Sequence, residues 1–189
     1  MAISEGGLAL DVLRVARFAG GTFKGRWAGG TWCTGLSIYA DWHGGTWKGG
    51  TWQNGERRDG KWLSGDWHKG LWHKGTWRSG RWYKGAWNNG TWCTGEWHDG
   101  YWNGGTWCGG EWFGGTHYSG LWKSGTWHNG TWYTGVWKGG RWRSGTWLGG
   151  TWEGGTWEGG EIYDLNLDEF VKSDVNPRDY FEKKKKKKK

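Results

Sequence analysis

The 189-residue chain contains few prolines, methionines and cysteines: it has one Pro, one Met and three Cys. Three Cys cannot all pair with one another. No apolar run approaches the roughly 20 residues needed to span a bilayer. The first ten residues carry Glu5 and no basic residue, which argues against a signal peptide. Together these absences predict a reducing, cytoplasmic setting and no membrane span.

Net positive charge is also small outside the C-terminus. The net charge is +8, and seven consecutive lysines supply +7 of it, which leaves +1 for the other 182 residues. A run of like charges is typically disordered, so a disordered tail is expected at 183–189. These lysines are candidate contacts for a polyanion such as nucleic acid or anionic lipid: Lys183, Lys184, Lys185, Lys186, Lys187, Lys188 and Lys189. A role in solubility alone explains them equally well.

Glycine and tryptophan are abundant and strictly periodic. All 24 Trp fall on one five-residue frame from Trp27 to Trp157, and every fifth residue from 25 to 160 is Gly except Ala40. Only Ser37, Arg57 and His117 interrupt the Trp positions. A period of five fits neither a helix nor a long flat strand. It fits a two-residue strand followed by a corner, with Gly and Trp on the same, inward side.

The Gly-Thr-Trp triplets stand where the pentapeptide-repeat family has triplets such as Ala-Asp-Leu, and the chain resembles that family from about residue 6 to 162. The resemblance implies an all-β, right-handed quadrilateral β-solenoid of about eight coils with four pentads each. "ARF" and "GTF", ending at Phe18 and Phe23, are ordinary triplets of the family. Since Trp is larger than Leu or Phe and Gly is smaller than Ala, core volume is roughly kept. We therefore expect Gly to make room for Trp.

Two patterns agree with a coil of twenty residues. The three interruptions are separated by 20 and 60 positions, and Thr is absent from one series of residues spaced by twenty. The expected domains are an N-terminal Leu/Phe coil and cap at 1–25, the solenoid at 26–162, a C-terminal cap at 163–182 and the tail. Asp168 to Lys172 is predicted to form a short helical turn. The side chains expected to cover the last coil are Leu165, Leu167, Phe170, Val171, Tyr180 and Phe181.

An interaction notch is predicted where the repeat is interrupted. Its residues are Ser37, Arg57, Arg58 and His117. Because an unpaired buried Arg is costly, residues 54–60 are expected to bulge outward near Asp59 or Glu56, and Ile38 is expected to replace Ser37 in the core. The alternative interpretation is a tolerated imperfect repeat without a function.

Catalytic, cofactor-binding and metal-binding residues are not predicted. No nucleophile motif, phosphate-binding loop or pair of acidic residues is present, and the periodic Gly are packing residues. Five of the six His follow a Trp and should point outward, with no compact His/Cys cluster.

Three functions remain open from the sequence. The first is a non-catalytic structural or protein-interaction module that binds a protein partner or assembles with itself. Its Trp/Gly pentads resemble those of uncharacterised proteins of large tailed phages, and this resemblance implies a place in a virion. The second is a polyanion binder acting through the Lys tail. The third is a carbohydrate- or ice-binding solenoid with the Thr column Thr31, Thr51, Thr91, Thr131 and Thr151.

Overall fold

Successive pentads wind into a parallel β-solenoid whose coil contains fifteen residues. The structure, a computed structural model, describes residues 2–3, 9–13, 16–18 and 20–187. Thr91 pairs with Thr106 and Trp92 with Trp107, in parallel and in register, and the same offset recurs along the chain. Three pentads therefore make one turn. The chain completes about nine turns, which at ~4.8 Å per strand gives a rod roughly 43 Å long.

The predicted all-β solenoid is confirmed. Its four-sided cross-section is wrong, because the strand register repeats every fifteen residues rather than every twenty. In a fifteen-residue coil, two residues that are twenty positions apart lie on different sides of the solenoid. The two patterns with a spacing of twenty, that of the interruptions and that of Thr, therefore do not reflect a shared face. The physical reason lies in the size of indole. The three rings of one coil already pack edge to face, and a fourth side would open space between them that close packing disfavours.

The inward residues form three columns along the rod. The first column contains Trp27, Trp42, Arg57, Trp72, Trp87, Trp102, His117, Trp132, Trp147 and Ile162. The second column contains Trp32, Trp47, Trp62, Trp77, Trp92, Trp107, Trp122, Trp137 and Trp152. The third column contains Phe23, Ser37, Trp52, Trp67, Trp82, Trp97, Trp112, Trp127, Trp142 and Trp157.

The strands are short because each corner interrupts them. The N-terminal strands are β1 (Ala2–Ile3), β2 (Ala9–Leu13), β3 (Ala16–Phe18), β4 (Thr22–Trp27), β5 (Gly30–Trp32) and β6 (Leu36–Trp42). The following strands are β7 (Thr46–Trp47), β8 (Thr51–Trp52), β9 (Gly55–Arg57), β10 (Lys61–Trp62), β11 (Asp66–Trp67), β12 (Leu71–Trp72), β13 (Thr76–Trp77), β14 (Arg81–Trp82), β15 (Ala86–Trp87), β16 (Thr91–Trp92), β17 (Glu96–Trp97) and β18 (Tyr101–Trp102). The last regular strands are β19 (Thr106–Trp107), β20 (Glu111–Trp112), β21 (Thr116–His117), β22 (Leu121–Trp122), β23 (Thr126–Trp127), β24 (Thr131–Trp132), β25 (Val136–Trp137), β26 (Arg141–Trp142), β27 (Thr146–Trp147), β28 (Thr151–Trp152) and β29 (Thr156–Trp157).

The N-terminal Leu/Phe positions pair in parallel with the following coil, with one residue fewer per turn. Leu13 pairs with Trp27, Phe18 with Trp32 and Phe23 with Ser37, an offset of fourteen residues in each case. The offset returns to fifteen at Lys24, which pairs with Tyr39. The shift matches the single missing residue between the Leu/Phe and Trp frames of the sequence. Leu8, the first position of that series, lies outside the described residues.

Stacked indoles form the core. Within a column, consecutive Trp rings are 4.6–5.1 Å apart between centroids and nearly parallel. Between columns, ring pairs meet edge to face at 5.7–6.4 Å. Each such aromatic contact adds about 0.5–1.5 kcal/mol beyond area burial. The predicted inward position of Trp is confirmed, since all Trp except Trp157 are buried.

Glycine is required at the corners chiefly by the backbone. Gly110 has a φ of +105°, a region that side chains with a Cβ rarely adopt. A Cβ built on it would also lie 2.4 Å from the carbonyl oxygen of Gly95, one turn earlier. Indole atoms are farther away, for example 3.2 Å at Gly125. The expectation that Gly mainly makes room for Trp is therefore corrected. Ala40 is tolerated because strand β6 passes through its corner without a positive φ.

The indole N–H groups are mostly enclosed by the stacks. Trp132 and Trp142 donate at 3.1 Å to the carbonyl oxygens of Gly149 and Gly159. These acceptors are corner carbonyls, as expected from the sequence. The buried Nε1 atoms of Trp62 and Trp72 have no hydrogen-bond partner. Each enclosed N–H opposes folding, and the stacking and burial of its ring must outweigh that cost.

A hairpin and a helix close the C-terminal end. Strand β30 (Gly160–Asp164) continues the first column and pairs antiparallel with β31 (Glu169–Ser173), and helix α1 (Pro177–Lys187) follows. Asn176 caps the helix, because its Oδ1 accepts from the backbone N–H of Asp179 at 3.1 Å. A turn and strand β31 replace the predicted helical turn at 168–172. The antiparallel strand covers the open edge of the last coil.

Only part of the predicted apolar cap covers the core. Tyr180 and Phe181 pack against the core together with Trp157, whose Nε1 donates to the carbonyl oxygen of Ser173 at 2.9 Å. Val171 is half-buried. The side chains of Leu165, Leu167 and Phe170 are exposed instead, because they lie in the turn and on the outer part of the hairpin. Among the helices of the described residues, none combines the length and apolarity needed to cross a bilayer.

Candidate functional site

Arg57 is part of the aromatic core. Its side chain is fully buried, and its guanidinium carbon lies 4.9 Å from the Trp42 ring centroid and 4.8 Å from that of Trp72. The planar guanidinium therefore occupies the place of an indole in the first column, and cation–π attraction replaces ring stacking. Burial lowers the pKa of Arg57 to about 9, and the nearby Asp59 opposes this shift. The predicted outward bulge at this residue is wrong.

His117 and Ser37 are also core residues. His117 is 1% exposed and stacks on Trp132 with 3.8 Å between ring centroids, whereas the Trp102 centroid is 6.2 Å away on the other side. Burial lowers the pKa of His117 to about 3, so the ring is neutral at pH 7. Ser37 is fully buried in the third column, and Ile38 does not replace it.

The structure does not bring the four predicted notch residues together on the surface. Arg57 and His117 share the first column but are separated by four turns, and Ser37 belongs to another column. Three of these side chains are buried and therefore absent from the surface, and the fifteen-residue coil places Ser37 on a different side from Arg57 and His117. Only Arg58 is exposed, where its Nε donates to Asp41 at 3.1 Å. Partial burial opposes ionisation of Asp41, but hydrogen bonds from His43 and Arg58 lower its pKa overall.

Arg58 lines a surface depression of about 680 Å³ at the corner containing Ala40. The depression is bordered by Lys24, Tyr39, Asp41, Asn54, Glu56 and Arg58. It is open and carries both signs of charge, and Arg58 and Asp41 already neutralise each other. The arrangement positions no nucleophile beside a base and offers no set of converging donors to one ligand.

The lysine run, predicted to be disordered over 183–189, is helical as far as Lys187, and Lys188 and Lys189 lie outside the described residues. Lys184 donates to the buried carboxylate of Asp164, which also accepts from the Tyr180 hydroxyl at 2.8 Å. The Lys184 hydrogen bond holds the pKa of Asp164 well below its usual range despite opposing burial. Lys183, Lys185 and Lys186 are exposed. One lysine of the tail is thus part of the cap, while its neighbours remain available to an anionic partner.

An aromatic column on the outer surface was missed by the sequence interpretation. Neighbouring rings, one coil apart, stack at 4.6–5.1 Å along His68, Tyr83, His98, Phe113 and His128. The recurrence of aromatic residues at intervals of fifteen was the available signal. Because the rings face one another, only their edges are presented to solvent. Neither this column nor the buried indoles can serve as a flat platform for a sugar ring or a base.

The predicted Thr column does not exist as one surface. Thr31, Thr91 and Thr151 lie on the side of the second column, whereas Thr51 and Thr131 lie on the other two sides. Thr116, Thr131 and Thr146 align on the side of the first column. A longer series aligns on the side of the second column and contains Thr31, Thr46, Thr76, Thr91, Thr106 and Thr151. Lys61, Leu121 and Val136 interrupt this series. Its regularity is too limited to define a repetitive binding face.

No group of three His, Cys, Asp or Glu side chains that could hold a metal ion occurs within residues 20–187. Cys93 and Cys108 are the exception to the expected dispersal of Cys and His, since they occupy adjacent coils on the side of the second column. Each follows a Trp of a register pair, so both thiols point outward. The sequence shows that the two cysteines are fifteen residues apart. Only the length of the coil, also fifteen residues, shows that this separation makes them neighbours.

No protein-family model matches the chain. No curated protein is significantly similar to it. A crystal structure of the polysialic acid O-acetyltransferase OatWY aligns with 89% of this chain and 84% of its own, at 6% identity and a TM-score of 0.15. So low a score carries no argument for a shared fold or activity. The architecture of the chain is a Trp-rich β-solenoid with a five-residue periodicity.

Proposed function

We propose that the chain is a non-catalytic structural or protein-interaction module, which acts as a stiff rod. The observation that supports this most is the continuity of the core. Three side-chain columns run through the solenoid and end at Trp152, Trp157 and Ile162. Each coil also forms backbone hydrogen bonds with the next. A solenoid bends only if its neighbouring coils separate, and here separation would break strand pairing and ring stacking together. Such a body suits a spacer or a scaffold.

The same architecture supports placing the chain in the pentapeptide-repeat superfamily as a Trp/Gly-rich variant. It shares the five-residue side and the inward large residue, and it departs from the four-sided coil that the resemblance implied. A place in a phage particle, with a protein partner or with further copies of the chain, rests on the resemblance to Trp/Gly runs of large tailed phages. A cytoplasmic location is proposed for the free chain.

The experiment varies rod length and outer surface separately. Fluorescent proteins are fused to both ends, and one or two fifteen-residue coils are inserted or removed within 75–135. Energy transfer should report a change of ~4.8 Å in end-to-end distance per coil. In the source organism, a spacer should lose function when its length changes and keep it when outward residues of one side are exchanged. Loss of function from outward exchanges alone would replace the spacer role with a docking face.

A second candidate function is polyanion binding through the C-terminal helix. The supporting observation is the exposure of Lys183, Lys185 and Lys186 on one short helix, beside a body of nearly zero net charge. Neutralising phosphates releases counterions, so the affinity should fall steeply with salt and be blind to nucleotide sequence.

The test measures binding to DNA and to vesicles with anionic lipid at low and moderate salt. Changing Lys183, Lys185 and Lys186 to Gln should abolish binding while leaving Lys184 on Asp164. The matched control changes three lysines of the solenoid, Lys48, Lys74 and Lys84, to Gln and should bind as the original protein does. An equal loss of binding in both variants would mean that the affinity depends on the net charge of the protein and not on the helix. Retained binding in the first variant would exclude Lys183, Lys185 and Lys186 as the site.

A further inference from the structure

We propose that Cys93 and Cys108 form a dithiol site that closes to a disulfide between two consecutive coils. The pair combines two features that isolated surface cysteines lack: an in-register position on neighbouring strands and a shared outward direction. The site goes beyond the structural role proposed above. The reagent that it would take is a low-molecular-weight disulfide such as oxidised glutathione.

The positions of the two backbones follow from the strand pairing. Trp92 and Trp107 pair in register, and their rings stack at 4.9 Å. The backbone N–H of Cys93 donates to the carbonyl oxygen of Trp77, and that of Cys108 to Trp92, both at 2.8 Å. The parallel ladder therefore continues through both cysteines. Their Cα atoms are separated by about one strand spacing, ~4.8 Å, which lies inside the 4.4–6.8 Å range of disulfides.

The side chains share the surface direction opposite to the indoles. Both cysteines are partly buried, so the thiols are within reach of a small reagent and still held by their neighbours. Arg78 precedes the pair by one coil and Lys123 follows it by one coil on the same side. These cations favour the thiolate form and attract an anionic reagent such as glutathione disulfide.

Burial, followed by the proximity of Cys108, raises the pKa of Cys93, and Arg78 opposes this shift. The Cys93 thiol is therefore mostly protonated near neutral pH. We expect its exchange with disulfides to accelerate as pH rises, because the thiolate is the attacking species.

The reaction is balanced with glutathione disulfide as oxidant. One cysteine loses its proton to solvent and its thiolate attacks one sulfur of glutathione disulfide, which releases one glutathione thiolate and leaves a mixed disulfide. The second cysteine loses its proton, and its thiolate attacks the protein sulfur of that mixed disulfide. The protein disulfide forms and the second glutathione thiolate leaves. Both glutathione thiolates take up protons, so two protein thiols are oxidised and one glutathione disulfide is reduced to two thiols.

Cys33 provides an internal comparison. It lies on the same side as Cys93 but four coils away, roughly 19 Å by strand spacing. A disulfide requires Cα atoms within about 7 Å, so Cys33 cannot close with either member of the pair inside one folded chain. Oxidation should therefore distinguish the three cysteines by position.

The experiment treats the folded, reduced protein with glutathione disulfide, and then alkylates the remaining thiols and maps peptides by mass. The expected result is a Cys93–Cys108 cross-link with loss of two hydrogens. In Cys93→Ser and in Cys108→Ser, the remaining member should keep a bound glutathione. Cys33→Ser should leave the cross-link unchanged.

A geometric control moves the partner by one further coil. In the Cys108→Ser, Lys123→Cys double variant the two thiols lie two coils apart, at ~9.6 Å, and should not close. Stable glutathione adducts on both Cys93 and Cys108 of the original protein would overturn the proposal. Closure of Cys93 with residue 123 as efficient as closure with Cys108 would also overturn it, because in-register adjacency would then have no effect.

Discussion

The guanidinium carbon of Arg57 lies 4.9 Å from the ring centroid of Trp42, which is the spacing of one indole on the next in the same column. Trp72 lies at an equivalent distance on the other face, 4.8 Å. The buried nitrogen atoms of Arg57 have no hydrogen-bond partner, so the charge is supported by these two rings, by the Trp62 ring at 5.8 Å and by the charge of Asp59. This site is the most evident departure from an all-indole core, and it makes a direct prediction.

Arg57→Trp should stabilise the protein, because the replacement completes the stack and removes a buried, unpaired charge. The expected gain in the free energy of unfolding is about 1–4 kcal/mol, measured by urea denaturation at pH 7. The exposed neighbour supplies the control, since Arg58→Gln should change stability by less than about 0.5 kcal/mol. A less stable Arg57→Trp variant would mean that the cation between two indoles is favourable in itself.

His117 should make the stability depend on pH. Its folded pKa of about 3 lies below 6.5, the ordinary value of a free imidazole, so the unfolded chain binds more protons between these values. Stability should therefore fall by up to about 1.4 kcal/mol per pH unit as pH drops below 6.5. His117→Trp should remove this component and be neutral or stabilising at pH 7, since Trp102 and Trp132 leave room for a larger ring.

The measurement compares urea midpoints at pH 7 and pH 5. His68→Gln, at an exposed position, is the control and should keep the pH dependence of the original protein. If His117→Trp and the original protein lost stability equally on acidification, the buried imidazole would not be the source.

Gly110→Ala should be strongly destabilising, because the added Cβ meets the carbonyl oxygen of Gly95 in a backbone region with φ of +105°. The strain alone costs about 1–3 kcal/mol. Gly109→Ala is a matched control one residue earlier, where a Cβ would lie 3.7 Å from the carbonyl oxygen of Cys93 and φ is outside the left-handed region. Thermal melts of the two variants should differ clearly. Equal melting temperatures would show that the corner backbone relaxes easily.

Tryptophan emission should be blue-shifted and nearly resistant to iodide. Trp157 is half-buried beneath the cap, whereas the other Trp are at most 4% exposed. Trp157→Phe should therefore remove most of the small quenchable fraction, and Trp107→Phe should leave it in place. Emission typical of indole in water would contradict the inward columns.

Lys184→Gln should loosen the C-terminal cap. The variant removes the cation that neutralises the buried Asp164 carboxylate. Because the pKa of Asp164 is lowered in the folded protein, its contribution to stability is present above 3.8, the ordinary pKa of Asp, and is lost as pH falls through the folded value. Amide exchange at pH 7 should accelerate in β31 and α1 but not in the central coils. Lys186→Gln, at an exposed position, should behave as the original protein.

Much of the architecture was predictable from one pattern. A five-residue period with Gly and Trp two apart specifies a short strand, a corner and an inward ring, and all three are found. The pattern also placed the interruption between the Leu/Phe and Trp frames, where the register shifts by one residue. The candidate notch was less predictable, because the cost of burying Arg57 was judged without the flat faces of Trp42 and Trp72 on either side of it.

The sequence by itself determined the repeat unit, since an alternating Gly and Trp can satisfy backbone and packing in few ways. It could not determine how many units close a coil, because sides of equal length fit three- or four-sided coils equally well. The edge-to-face contact of three indoles decided that number. The number in turn decides which residues are neighbours, so only the tertiary structure brought Cys93 to Cys108, aligned His68 with Tyr83 and placed Lys184 against Asp164.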